Sequence, residues 1–173
     1  DRTSVVMTYA VGKAQRLLAG LDPNIGPIGI HGALVGPTEV YRAAGIELPE
    51  TIRAGRDTAT ELQGRGIIVC PPSAAGTPWI RRFSGKDGLE TAFASGWMAI
   101  RGRQRWRGVD RGFILSDHAD WDGLLNIVRN SNAKRVGVTH GSTEAFARYL
   151  REIEGLESFV LGDQRATSDG DDG

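Results

Sequence analysis

Short apolar runs and helical stripes take turns along this chain. Thr3 to Ala10 predicts a strand, and Ala14, Leu17, Leu18 and Leu21, at i, i+3, i+4 and i+7, predict the buried stripe of a short helix that ends near Gly20 and Pro23. Ile28 to His31 predicts a second strand and Pro37 to Ala44 a second helix. Glu47 to Arg65 is polar and weakly patterned, which predicts loop with a helical turn. Gly66 to Cys70 is a fully apolar strand stopped by Pro71-Pro72, and Pro78 can open a helix through Arg82. Glu90 to Met98 predicts another strand, broken near Gly96. Two similar units follow. Gly112 to Leu115 and Arg135 to Val138 are apolar runs, each ending at a histidine-bearing loop and then a helical stripe: Trp121, Leu124, Leu125 and Val128, then Phe146, Tyr149, Leu150 and Ile153. Leu156 to Leu161 predicts a terminal strand. Strands alternating with helices predict an α/β fold with a mostly parallel sheet.

The two loops hold His118, in Ser-Asp-His-Ala-Asp, and His140, in Thr-His-Gly, which are two of only three histidines. Ligands bind α/β sheets at the C-terminal ends of strands, so the pattern predicts both histidines at one sheet edge. Imidazole is the commonest metal ligand and acid–base group near neutral pH, and Asp117 and Asp120 flank His118. The competing reading is a structural histidine at a helix start. His31-Gly32 also follows a strand but lacks neighbouring carboxylates. Two histidines plus Asp117 or Asp120 are a thin ligand set, with no H-x-H or H-E-x-x-H spacing to support it. No Walker A loop and no G-x-G-x-x-G is present, which counts against an unrelated nucleotide-binding α/β domain.

Charge changes the picture only locally. Twenty-one basic residues balance 21 acidic ones, so net charge selects no partner class. Arg101, Arg103, Arg105, Arg107 and Arg111, however, crowd one segment opposed only by Asp110, as a phosphate-contacting stretch would. The bland alternative is a charged strand edge. Residues 163–173 are Gly- and Asp-rich, predicting a disordered acidic tail. Cys70 is the lone cysteine, which excludes an intrachain disulfide and a cysteine metal cluster and, with no apparent signal peptide, predicts a cytoplasmic setting. No apolar run has the roughly 18 residues of a membrane span.

Ser-Asp-His-Ala-Asp at 116–120 and Val-Thr-His-Gly at 138–141 resemble motifs B and C of the β-CASP branch of the metallo-β-lactamase superfamily. Tyr-Ala-Val-Gly-Lys-Ala-Gln-Arg-Leu-Leu at 9–18 resembles the helix after the first β-CASP strand. Pro-Pro-Ser-Ala-Ala-Gly-Thr-Pro-Trp at 71–79, Ser-Gly-Trp-Met at 95–98, the arginine-rich stretch and Asp110-Arg111-Gly112-Phe113 narrow the resemblance to bacterial ligase-associated DNA exonucleases, over residues 2 to about 162.

The resemblance implies a β-CASP-like α/β region at 1–108 and the C-terminal strands and helices of a metallo-β-lactamase-like domain at 109–162. It implies a metal-dependent phosphodiesterase, a DNA exonuclease of repair or processing, with two zinc ions, or manganese, in the complete enzyme. His140 would ligate the second metal, His118 would help protonate the leaving oxygen, and Asp120 would orient His118 or its helix. The family's H-x-H-x-D-H motif, its further histidine and its bridging aspartate are not in this sequence. The chain is therefore expected to be a C-terminal half, inactive and metal-free alone. Its implied partners are DNA, an N-terminal metallo-β-lactamase half in cis or on another chain, and a DNA ligase. The alternatives are an RNA-processing nuclease of the same superfamily and a catalytically dead nucleic-acid-binding module.

Overall fold

The computed structural model describes residues 2–99 and 108–162. Arg101, Arg103, Arg105 and Arg107 and the expected acidic tail at 163–173 lie outside the described residues. The chain forms two compact units, one running to His118 and the other starting at Ala119.

The first unit is built on a six-stranded sheet in the order β3-β2-β4-β1-β5-β6. Its strands are β1 (Thr3–Met7), β2 (Ile28–Ile30), β3 (Ile52–Arg53), β4 (Ile67–Cys70), β5 (Leu89–Ala94) and β6 (Arg111–Phe113). Every pairing is parallel. Central strands of such a sheet are covered on both faces and read as continuous apolar runs, as Val5-Val6-Met7 and Ile68-Val69-Cys70 do. Their side chains alternate between layers. Val5, Met7, Ile68, Cys70 and Phe93 join Leu62, Ile80 and Phe83 in one cluster. Val69 and Ile30 join Ala14, Leu18 and Leu34 in another. Helices α1 (Lys13–Ala19) and α2 (Gly32–Ala43) supply the second cluster, and α3 (Ala59–Leu62) and α4 (Pro78–Arg81) contribute to the first.

Five elements differ from the sequence reading, β1 among them, since it ends at Met7 and leaves Thr8 to Ala10 to the following loop. Helix α2 begins five residues before Pro37 because the His31 side chain caps it, accepting from the Ala33 N–H at 3.1 Å. Strand β3 falls in the stretch expected to be loop; two residues are too few to show a period. Strand β5 stops at Ala94, where Ser95 turns the chain into a 3₁₀ turn at Gly96–Ala99 and its hydroxyl accepts from the Trp97 N–H. Strand β6 ends at Phe113, so Ile114 and Leu115 belong to the following loop.

The second unit contains α5 (Trp121–Ser131), β7 (Arg135–Val138), α6 (Thr143–Glu152) and β8 (Glu157–Val160). Strands β7 and β8 pair in parallel. Leu125, Val138, Phe146, Ala147 and Leu150 form its core. Trp121 meets Phe146 and Tyr149 edge-to-face, with ring centroids 5.0 and 5.1 Å apart.

Candidate active-site loops

In the larger sheet the connection after β1 runs toward β2 and β3, and the connection after β5 runs toward β6. The crossovers leave in opposite directions between two adjacent strands. That is a topological switch point, and a crevice opens there outside the strands' C-terminal ends. The loop after β6 occupies it. A Cβ on Gly96, just past β5, would stand 3.3 Å from Ser116 Cβ, and one on Gly12, just past β1, would stand 2.7 Å from Asp117 Oδ2. Glycine at both positions lets the two strand ends close on this loop.

The loop is held from α1. Lys13 Nζ lies 3.0 Å from Asp117 Oδ1, and the Arg16 guanidinium donates to the Ser116 carbonyl. Within the loop the His118 N–H donates to Ser116 Oγ at 3.2 Å. Partial burial pushes the Asp117 carboxyl up, but the hydrogen bond from Lys13, backbone donation and the Lys13 charge outweigh it and hold its pKa below the usual carboxylate value. The His118 side chain is 82% exposed, and its Nε2 is 3.8 Å from Asp117 Oδ1. That separation is too long for a hydrogen bond, so Asp117 does not fix the ring's tautomer.

Asp120 caps α5, its Oδ1 accepting from the Gly123 N–H at 2.8 Å. His140 follows β7 with φ 62°, and Gly141 follows with φ 74°. A non-glycine residue in the left-handed region carries backbone strain. Thr139 Oγ1 is 3.1 Å from His140 Nδ1, which occupies that nitrogen and leaves Nε2 for another partner. His140 also borders an open pocket of ≈ 330 Å³ with Trp121, Leu124, Ile127 and Phe146. Ser142 precedes α6, but its side chain makes no capping bond.

One sequence expectation changes here. The strands before the two histidines lie in different sheets, β6 in the six-stranded one and β7 in the two-stranded one, because β7 takes β8 as its hydrogen-bonded neighbour. His31, in keeping with its lack of neighbouring carboxylates, caps α2 and packs edge-on against Trp79 with centroids 4.5 Å apart, and burial lowers its pKa. Lys13 and Arg16 were missed as site residues. The signal was present, since Gly12-Lys13 also follows a strand and so lies at the same sheet edge.

Among the described residues no three His, Cys, Asp or Glu side chains converge into a group able to hold a metal. A two-zinc centre needs several such donors, and His140 offers one, so the described residues do not by themselves fit that centre. Among them, too, no helix is long and apolar enough to cross a membrane.

Comparison with known proteins agrees with the loop pattern. A protein of Opitutus terrae described as a probable DNA ligase is 35% identical over 163 residues, covering 94% of this chain. The chain spans 15% of that relative's length. Residues 110–161, which contain both histidine loops, match the Zn-dependent metallo-hydrolase RNA specificity domain. With its α/β fold and parallel sheets, the chain belongs over this segment to that domain family, part of the metallo-β-lactamase superfamily.

Proposed function

We propose that this chain is the C-terminal part of a metal-dependent nuclease that degrades DNA. The observation that carries the reading is His118. It is an exposed imidazole on a loop tied down from α1, at the switch-point crevice of a parallel sheet. Such a group can give a proton to the oxygen leaving phosphorus. His140, whose Nδ1 is engaged by Thr139, offers Nε2 as one metal donor. The remaining donors come from a metallo-hydrolase segment outside this sequence. When bound, the metals supply a nucleophilic water. Asp120 acts through the start of α5, and Arg101, Arg103, Arg105 and Arg107 add phosphate contacts. Likeness to a protein described as a probable DNA ligase supports DNA as substrate and a ligase as partner.

A second reading, an RNA-processing nuclease, draws on the matched family's description as an RNA specificity domain. Matched DNA and RNA strands offered to the complete enzyme separate the two. The first reading expects DNA to be degraded. His118→Ala should then lower turnover by about 10²–10⁴-fold with strand binding retained. Preferential RNA cleavage overturns the DNA assignment, and turnover indifferent to His118 overturns its acid role.

A further inference from the structure

Lys13 is only 4% exposed, an unusual place for an ammonium group. A buried charge is retained only with a partner, and an apolar residue of similar length would pack against this sheet at less cost. The partner here is no neighbour on α1. It is Asp117, in a loop on the far side of the chain, and Tyr9 presents its ring 5.0 Å from the same Nζ. Arg16, one turn along α1, donates to the carbonyl of Ser116, 100 residues away. Ser116 Oγ in turn accepts from the His118 N–H. The three residues that set the backbone entering the His118 ring are therefore anchored to one helix. Asp117 spends its carboxylate on Lys13, and at 3.8 Å it is too far to hydrogen-bond the imidazole.

We propose that Lys13 is a positioning residue for His118, acting through Asp117 to hold the Ser116–His118 loop in one conformation. The proposal rests on the reading of His118 as the proton donor. Lys13 itself touches no reacting atom. It removes the freedom of a loop whose functional side chain is otherwise exposed, and an exposed side chain on a loose loop spends little time in a productive geometry.

The test has two arms. In the 173-residue chain, backbone ¹⁵N relaxation reads the loop without any catalysis. Order parameters at Ser116, Asp117 and His118 are expected to fall from about 0.85 to below about 0.6 in Lys13→Met and to recover in Lys13→Arg, which restores the charge. Asp117→Asn is the second variant, should Lys13→Met fail to fold, and is expected to loosen the same three residues. In the complete enzyme, Lys13→Met is expected to lower kcat on the order of 10- to 100-fold with KM nearly unchanged, and Lys13→Arg to restore most of it. Unchanged order parameters in both Lys13→Met and Asp117→Asn overturn the clamp. A loosened loop with unchanged kcat, in an enzyme that His118→Ala does cripple, overturns the positioning role. If His118→Ala itself leaves turnover intact, the proton-donor reading falls, and the relaxation arm still decides whether the clamp exists.

Discussion

Replacing Gly12 with alanine should destabilise the first unit more than any ordinary surface substitution. Gly12 has φ 77° and ψ −70°, and the Lys13 N–H reaches back to the Val11 carbonyl at 3.0 Å, which closes a γ-turn of the strained hand. An L-residue held there costs about 1–3 kcal/mol. The added Cβ would also lie 2.7 Å from Asp117 Oδ2, so the carboxylate must move away from Lys13. Breaking a fully buried pair costs about 3–5 kcal/mol, but the Asp117 side chain is 28% exposed and can rehydrate, which scales this to about 1–2 kcal/mol. The stiffer unfolded chain returns about 0.4–1 kcal/mol. The net loss is about 2–4 kcal/mol, or about 5–15 °C in the thermal midpoint. Urea and thermal unfolding followed by circular dichroism measure it. A D-alanine at position 12, made by semisynthesis, adopts positive φ without strain and projects its methyl elsewhere, so it should unfold within about 1 kcal/mol of the parent. An L-alanine variant within about 0.5 kcal/mol of the parent, or a D-alanine variant as weak as the L form, refutes the reasoning.

Two further outcomes follow from the caps and loops. His31 caps α2 through a neutral Nδ1 and burial lowers its pKa, so its contribution is complete above about pH 6.5 and is lost as pH falls through that value toward the lower folded-state pKa. His31→Asn keeps a capping oxygen without the titration, and the urea midpoint should then fall less between pH 7 and pH 5; an unchanged pH slope would count against the cap. At His140, with φ 62°, the usual order of helix and loop residues should invert: His140→Gly should be more stable than His140→Ala by about 1 kcal/mol in urea unfolding, and equal stability would show that the position carries no strain.

Much of this architecture was legible because central strands announce themselves. Ile67–Cys70 is apolar on both faces and bounded by Gly66 and Pro71, and Thr3–Met7 carries the apolar run Val5-Val6-Met7, so both strands could be read directly. Strand β3 and the early start of α2 could not. The first is two residues long, and the second depends on a histidine used as a cap, which helix-start rules built on Ser, Thr, Asp and Asn do not anticipate. The histidine loops were visible as interruptions after apolar runs. Sheet membership was not, because β6 and β7 have similar local patterns and only their hydrogen-bonded neighbours differ. For Lys13 the order of residues showed its place after a strand but not its partner: that is Asp117, and no local period links positions so far apart.

The tie between α1 and the loop at Ser116 also sets an order of events during synthesis. Lys13 and Arg16 leave the ribosome while the strand that delivers their partners, Arg111–Phe113, is still to be made. Local elements form in microseconds, but a contact spanning about a hundred residues waits for the chain between its ends to condense. The buried ammonium of Lys13 therefore stays solvated, and the end of β1 stays open, until the last strand of the sheet docks beside β5. A nascent or prematurely terminated chain can possess most of this sheet and still lack the ordered loop that carries His118.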